Sequence, residues 1–221
     1  MIKISPSMLA SDFSMLGKEA QRMEKGGADM LHLDVMDGNF VPNISFGAPV
    51  ISAIRKCTPM KFDVHLMINK PLRFIEDFAE AGADIITFHA EAGSPVYETI
   101  EKIRSFGCVP SLCVRPLTSV DEVFPFLDKI GMVLIMTVEP GFGGQPFIKE
   151  TISKIADLRA ECKKRGVNPD IEVDGGINAE TAALAASKGA NVMVAGSYIF
   201  NCPDAAGAIA RIRSAAENAR A

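Results

Sequence analysis

Short apolar runs alternate with stretches of helical periodicity along the whole 221-residue chain. The runs have the length of β-strands, whereas in the stretches between them apolar residues recur at helical spacing. Strands are predicted to start near Ile2, Met30, Lys61, Asp84, Val109, Met132, Asp170 and Val192. Helices are predicted over residues 13–25, 50–57, 72–81, 96–105, 120–129, 152–165, 180–187 and 205–219. The pattern therefore contains eight strand and helix pairs.

Strict alternation of this kind predicts parallel strands joined by right-handed crossovers, and eight such units close most economically into a barrel. A Gly-Ala dipeptide followed by Asp or Asn recurs at residues 27–29, 82–84 and 189–191, each time between a helix and a strand. These intervals are close to two and four units of the repeat. We therefore predict an α/β protein that forms a single (β/α)8 TIM barrel, with one catalytic domain over residues 1–221.

Composition narrows the class of partner. The chain is 48% apolar with a formal net charge of -4, which suits one large core and leaves no basic stripe for nucleic acid or a membrane surface. No apolar stretch approaches the length of about 18 residues that a membrane helix needs, and no signal segment is evident, so we expect a cytoplasmic protein. Five cysteines without a Cys-x-x-Cys pair predict reduced thiols. The expected partner is a small molecule.

Three predicted strands end in residues that can bind a metal: Leu31-His32-Leu33-Asp34, Asp63-Val64-His65 and Glu172-Val173-Asp174. Because side chains alternate between the faces of a strand, residues two apart project to the same side. Imidazole and carboxylate together suit a divalent metal ion. We predict that His32, Asp34, His65 and Asp174 form one metal site.

The remaining polar residues near predicted strand ends have other predicted roles. Asp63 and Glu172 lie two positions before a predicted ligand, one layer deeper in the barrel, where they would orient the ligands; a hydrogen-bonded polar layer is the alternative. His89 has no Asp two positions away, so we interpret it as a hydrogen-bonded core or rim histidine.

Glycine-rich segments follow the last three strands. A loop that contains Gly141, Phe142, Gly143 and Gly144 follows the sixth strand, Gly175-Gly176 follows the seventh, and Gly196-Ser197 follows the eighth. Glycine lets backbone N–H groups approach an anion closely, and loops at this end of a barrel commonly bind phosphate. These segments predict a phosphate site, with ordinary turns as the alternative.

Two further groups of residues lie near the predicted strand ends. Met36, Met67 and Met136 would form a polarisable wall around a reaction intermediate, although methionine is more commonly a core filler. Ser7 follows the first strand, where it would either donate a hydrogen bond to substrate or cap a turn.

The predicted site indicates a reaction class. A metal ion that polarises a substrate oxygen lowers the cost of removing a proton from the adjacent carbon, because it stabilises the resulting enediolate. Asp34 and Asp174 come from the second and seventh strands, from which they could reach opposite faces of a planar intermediate. If one removes a proton and the other returns one, the carbon is inverted without a redox cofactor. No lysine at a strand end supports a Schiff-base aldolase.

These motifs, with Ser5-Pro6-Ser7 and the segment 136–145, resemble those of the ribulose-phosphate 3-epimerase family over nearly the whole chain. The resemblance implies interconversion of D-ribulose 5-phosphate and D-xylulose 5-phosphate in the pentose phosphate pathway, and a homo-oligomer. It implies one divalent ion, with Zn²⁺ preferred over Fe²⁺, Mn²⁺ or Co²⁺, bound by His32, Asp34, His65 and Asp174, with Asp34 and Asp174 as the catalytic acid/base pair. It also implies substrate contacts from Ser7, His65, Met36, Met67, Met136, Gly141, Phe142, Gly143, Gly144, Gly175, Gly176, Gly196 and Ser197.

Three alternatives remain open from the sequence. One is a D-allulose-6-phosphate 3-epimerase with the same chemistry, although the glycine pairs favour the five-carbon substrate. Another is a decarboxylase on a related barrel. Enzymes of that class typically have a lysine within the acidic strand motif, whereas here Asp34 is flanked by Leu33 and Val35, which argues against this alternative. The last is a non-catalytic barrel that binds sugar phosphates. The presence of both Asp34 and Asp174 argues against this alternative.

Overall fold

The computed structural model describes residues 1–220 and contains one eight-stranded sheet in which every strand pair is parallel. The strands follow the order β1-β8-β7-β6-β5-β4-β3-β2. Their bounds are β1 Lys3–Pro6, β2 Met30–Met36, β3 Lys61–Met67, β4 Ile85–His89, β5 Val109–Val114, β6 Met132–Met136, β7 Asp170–Asp174 and β8 Val192–Ala195. This confirms the predicted TIM barrel and places each strand within two residues of its expected start.

The barrel closes between β1 and β2 through few backbone contacts. An isolated parallel bridge joins Ser7 to His32, and the backbone N–H of Asp29 donates to the carbonyl of Ile4 at 2.9 Å. All four residues of β1 pair with β8, whereas no regular ladder joins β1 to β2 among the described residues. The seam therefore brings the residue that follows β1 next to a predicted metal ligand.

Helices cover the outside of the sheet. Their bounds are α1 Leu16–Lys25, α2 Ala48–Arg55, α3 Ile75–Glu80, α4 Val96–Ser105, α5 Ile152–Arg165, α6 Ala179–Ser187, α7 Ser197–Phe200 and α8 Ala205–Asn218. Short 3-10 helices occupy Met8–Ala10, Phe13–Met15, Pro71–Phe74, Val120–Phe126 and Lys149–Thr151. No helix among residues 1–220 combines the length and hydropathy that a bilayer crossing requires.

One predicted helix is wrong in type. The apolar spacing over residues 120–129 predicts an α-helix, but the chain forms a 3-10 helix over Val120–Phe126. Pro125 lies inside it, and proline lacks the N–H that an α-helix would use and collides with the preceding turn. Helices of both types bury one face, so the spacing of apolar residues does not distinguish them.

The two faces of the strands have different partners. Leu31, Leu33 and Val64 belong to the main apolar cluster, which also includes buried residues of the helices. The alternate residues face the barrel interior, and its base is closed by a small cluster of Met30, Ile85, Met132 and Val192. Above this cluster the interior contains buried polar side chains, so the carboxyl ends of the strands carry the chemistry. All five cysteines are free thiols, as predicted.

Candidate active site and metal centre

The four predicted metal ligands meet at the carboxyl ends of β2, β3 and β7. In the ladder between β2 and β3, Asp34 is the register partner of His65. Nε2 of His32 lies 3.2 Å from Nδ1 of His65 and 3.2 Å from Oδ1 of Asp34. It lies 3.8 Å from Oδ2 of Asp174, the last residue of β7. The structure therefore brings together all four residues that the sequence singled out.

These four residues fit a divalent metal ion. Two imidazole nitrogens and two carboxylate oxygens lie within 4.8 Å of one another, which is close enough for one ion at coordination distances of about 2 Å. His32 and His65 are fully buried, and Asp34 is nearly so. Such a crowded group of buried polar atoms is costly unless a partner satisfies it. The chain thus has a buried His/Asp site able to hold a metal.

Asp63 orients one of the candidate ligands. Its Oδ2 lies 2.6 Å from Nδ1 of His32, so the hydrogen of a neutral ring lies on Nδ1 and the lone pair of Nε2 points toward the other ligands. Thr87 donates to the second oxygen of Asp63 at 3.2 Å. Glu172 lies 3.8 Å from Nδ1 of His32, and neither of its carboxyl oxygens has a hydrogen-bond partner among the described residues. The contact of Asp63 agrees with the orienting role expected for it, and that of Glu172 is weaker.

His89 ends β4 and lies directly behind His65. The two Nε2 atoms are 2.9 Å apart, and the rings stack with their centroids at 5.0 Å. With Cys113 the two histidines form a second cluster of potential ligands, and His32, Asp63 and Glu172 form a third. In the described chain only the predicted four-residue group includes residues that line the large cavity above it.

The cavity has a volume of about 940 Å³ and opens at the carboxyl ends of the strands. Every predicted substrate contact except His65 lines it, and His65 is fully buried beneath it. Its walls also include residues that sequence reasoning missed: Leu9, Val138, Lys149, Asn178 and Tyr198. These residues lie in the segments that follow the same strands as the predicted contacts. Their place after a strand end is therefore the one sequence feature that could have indicated them.

Ser7 contacts a candidate ligand. Its hydroxyl donates to Oδ2 of Asp34 at 2.6 Å. Ser7 precedes the 3-10 helix Met8–Ala10 but its side chain does not cap that helix. Of the two roles considered from the sequence, turn capping is therefore not observed, and the hydroxyl instead holds one oxygen of Asp34 in place while the residue lines the cavity.

The three methionines form an apolar wall on the cavity. Met36 and Met67 pack with Val41 in one buried cluster, and Met136 packs with Cys113 and other residues in a second. All three are nearly inaccessible to solvent and line the cavity. They therefore present thioether groups beside the carboxylates.

The glycine pair after β7 adopts backbone conformations that few other residues tolerate. Gly175 has φ 122° and Gly176 has φ 66°. A Cβ atom on Gly176 would lie 2.5 Å from the backbone nitrogen of Phe147, so the loop after β6 packs directly against this turn. Because Gly175 and Gly176 have no side chains, their backbone forms this part of the cavity wall.

The two carboxyl groups of the site differ in proton affinity. In the absence of a metal ion, burial alone would raise the pKa of Asp34, but the charge of protonated His32 and hydrogen bonds from His32 and His65 hold it well below its usual range. Burial, followed by repulsion from Asp34, raises the pKa of Asp174 to about 7. Without a bound ion, the arrangement thus favours one ionised and one protonated carboxyl near neutral pH.

Comparison with known proteins identifies relatives over nearly the whole length. A family model described as the ribulose-phosphate 3 epimerase family matches residues 3–200. The chain is 46% identical over 214 residues to ribulose-phosphate 3-epimerase of Bacillus subtilis (strain 168), covering 96% of this chain and 99% of that one. It is also 46% identical over 222 residues to the cytoplasmic isoform of ribulose-phosphate 3-epimerase from Oryza sativa subsp. japonica (rice), covering 99% of this chain and 96% of that one.

Solved structures of lower sequence identity share the fold. KGPDC from Streptococcus mutans superposes with a TM-score of 0.74 at 14% identity, covering all of both chains. The 3-hexulose-6-phosphate synthase from Salmonella typhimurium superposes with a TM-score of 0.67 at 19% identity, covering 99% of this chain and 100% of that one. At such identities the likeness concerns the barrel alone.

Proposed function

Because this chain belongs to the ribulose-phosphate 3-epimerase family, we propose that the four-residue group at the barrel mouth is the metal site of an epimerase. The protein is an isomerase that inverts C3 of a ketose phosphate, interconverting D-ribulose 5-phosphate and D-xylulose 5-phosphate. One observation carries the proposed site: His32, Asp34, His65 and Asp174 converge within 4.8 Å beside the large cavity.

The ion that we propose is Zn²⁺, with Fe²⁺, Mn²⁺ and Co²⁺ as alternatives. Two imidazoles and two carboxylates are a ligand set that zinc accepts, and the hydrogen bond of Asp63 leaves Nε2 of His32 available to it. When bound, the ion supplies positive charge that polarises the substrate oxygen next to the reacting carbon.

Asp34 and Asp174 are the proposed acid and base. The ionised carboxyl removes the proton from C3 on one face of the substrate, and the protonated carboxyl delivers a proton to the other face. Their positions support this assignment, because Asp34 on β2 and Asp174 on β7 reach the same cavity from different strands, and turnover requires that the pair hold one proton. In the reverse reaction the two residues exchange roles.

The remaining cavity residues bind and enclose the sugar phosphate. We assign the phosphate to the backbone around Gly175, Gly176, Gly196 and Ser197, where exposed N–H groups can approach an anion. The loop with Gly141, Phe142, Gly143 and Gly144 lies on the adjoining wall, and Asn43 donates to the carbonyl of Gly141 at 2.8 Å. In this assignment the side chains of Met36, Met67 and Met136 face the sugar. Ser7 positions the carboxylate of Asp34, and His65 acts on the substrate only as a ligand of the ion.

Three coarser properties are also proposed. One catalytic domain spans residues 1–221, supported by the single main apolar cluster of the described chain. A homo-oligomer is proposed from the family resemblance. A cytoplasmic location is proposed because the similar rice protein is described as a cytoplasmic isoform, although the similar Arabidopsis thaliana protein is described as chloroplastic.

Metal analysis coupled to an activity assay with D-ribulose 5-phosphate tests the proposal. We expect about one zinc ion per chain, loss of activity with a chelator and recovery on adding zinc. His32→Ala should lose both zinc and activity, whereas Asp77→Asn, which changes an exposed carboxylate on α3, should keep both. Full activity in the chelated protein would contradict the metal site, and faster turnover of D-allulose 6-phosphate would favour the six-carbon alternative.

A further inference from the structure

A line of buried polar groups leads from His65 away from the cavity. Nδ1 of His65 faces the other proposed ligands, 3.2 Å from Oδ1 of Asp34. On its far side, Nε2 lies 2.9 Å from Nε2 of His89. Beyond that, Nδ1 of His89 lies 3.4 Å from Oε2 of Glu91. The proposed function gives neither His89 nor Glu91 a part.

The hydrogen bond between the two Nε2 atoms has a direction, because only one hydrogen can lie between them. Either His65 donates and His89 accepts, or the reverse. A ring nitrogen binds a metal ion only through a free lone pair, so ligation by Nδ1 requires that a neutral His65 carry its hydrogen on Nε2. In that arrangement His89 accepts, and its own hydrogen lies on Nδ1, facing Glu91.

Glu91 favours this direction. Nδ1 of His89 and Oε2 of Glu91 are both buried, and neither has a well-aligned hydrogen-bond partner in residues 1–220. An ionised carboxylate accepts hydrogen bonds and cannot donate them. A hydrogen on Nδ1 of His89 would therefore be attracted to Glu91, whereas a lone pair there would be repelled. The backbone N–H of Arg115 donates to the other oxygen of Glu91 at 2.9 Å and holds the carboxylate in place.

Phe40 and Arg115 cover this pair from the side. The ring of Phe40 lies against the ring of His89, with the two centroids 4.8 Å apart. The guanidinium of Arg115 lies 4.1 Å from the centroid of the Phe40 ring. Arg115 also donates from Nη2 to the carbonyl of Phe40 at 2.9 Å. His89 is thus fixed between two rings and has little freedom to turn.

From this geometry we infer that His89 and Glu91 are positioning residues, which hold His65 with Nε2 protonated and Nδ1 free to bind the metal ion. The inference rests on the proposed metal site. It assigns no contact with substrate to either residue. Outer hydrogen-bond partners of metal-binding histidines contribute about 10- to 100-fold in metal affinity, which sets the size of the expected effect.

The first measurement locates the hydrogens directly. Long-range ¹H–¹⁵N correlation spectra of the zinc-loaded protein with ¹⁵N-labelled histidine distinguish a protonated ring nitrogen from one that is unprotonated or bound to metal. We expect His65 to be protonated on Nε2 and His89 on Nδ1. Glu91→Gln removes the charge that favours Nδ1–H and should weaken this preference, which a purely structural role of Glu91 would not do.

The second measurement is zinc affinity by competition with a chromogenic chelator. His89→Leu leaves Nε2 of His65 without an acceptor and should raise the dissociation constant by about 10- to 100-fold. His89→Gln retains an amide oxygen that can accept, so it should restore most of that loss. Ser111→Ala serves as the control, because Ser111 is buried on the neighbouring strand and its hydroxyl has no partner among the described residues. Its zinc affinity should match that of the wild type.

The outcomes separate this inference from the proposed function. If the wild type binds no zinc, the metal site itself is wrong. If it binds zinc but His65 is protonated on Nδ1, or if the His89 variants keep wild-type affinity, the positioning role alone is overturned. Should His89→Leu fail to fold, the spectra of the wild type and of Glu91→Gln still decide.

Discussion

Replacing Asp174 by Asn should make the chelator-treated protein more stable at pH 8 while it destroys activity. The carboxyl group of Asp174 has no close hydrogen bond among the described residues, and its nearest basic atom is Nε2 of His32 at 3.8 Å. Burial and repulsion by Asp34 raise its pKa to about 7, against 3.8 for an unperturbed aspartate. Without a cation to neutralise it, the ionised side chain therefore opposes folding.

The size of the effect follows from these two values. A difference of one pH unit in pKa corresponds to about 1.4 kcal/mol, so the upper limit is about 4 kcal/mol at pH 8. Because the side chain of Asp174 keeps 17% of its exposure, solvent reduces the penalty, and we expect about 2 kcal/mol. Between pH 3.8 and 7 the unfolded chain releases this proton before the folded chain does, so the contribution to stability falls as pH rises. At pH 5 the advantage of Asn should be less than half of that at pH 8.

Urea denaturation after treatment with a chelator measures this difference at both pH values. With zinc present, Asp174→Asn should instead lower turnover by at least about 10²-fold, because one face of the proton transfer is lost. Asp77→Asn removes an exposed carboxylate and should change neither quantity. A chelated Asp174→Asn protein less stable than the wild type at pH 8, or an equal difference at both pH values, would refute the reasoning.

Three further predictions follow from the same geometry. Asp34→Asn should also lower turnover by at least about 10²-fold, but it should destabilise the chelated protein by about 1–3 kcal/mol in urea denaturation, because Ser7 and His65 contact its carboxylate. Zinc affinity, measured by chelator competition, should rise at least about tenfold from pH 6 to pH 8. Burial alone would lower the pKa of His32, but the charges of Asp34 and Asp63 raise it well above its usual value, so zinc must displace its proton; a flat profile would contradict its role as a ligand. Gly176→Ala should raise KM for the sugar phosphate and lower the melting temperature, because its Cβ would meet the backbone of Phe147; an unchanged KM would argue against this turn as part of the phosphate site.

Much of the barrel could be predicted because most strands are buried on both faces and read as short apolar runs. β2, for example, is buried throughout Met30–Met36, and its two polar residues stand out within that run. The register between β2 and β3 then pairs Asp34 with His65, so residues chosen for their spacing also meet in space. The helix expected over residues 120–129 could not be typed correctly, because apolar spacing does not record the effect of Pro125.

The contacts of Ser7 and His89 could not be predicted from spacing. The hydroxyl of Ser7 meets Asp34 because the barrel closes between β1 and β2, which depends on the whole sheet. The sequence interpretation of His89 as a hydrogen-bonded core histidine agrees with its burial and with its contact to His65. Spacing could not show which residue His89 would contact, because that depends on how β3 and β4 pair in the sheet.

Both candidate histidine ligands have one ring nitrogen directed away from the site into a buried polar chain. Asp63 contacts Nδ1 of His32 directly, and Glu91 acts on Nε2 of His65 through His89. The two histidines would therefore present different ring nitrogens to a bound ion, and each choice would be set by a carboxylate outside the four-residue group. If so, exchanging the carboxylate for an amide in Asp63→Asn and in Glu91→Gln should weaken zinc binding in each case, and the two effects should be coupled, because His32 and His65 lie 3.2 Å apart and would share the ion. Strict additivity in the double variant would mean that the two polar chains act independently.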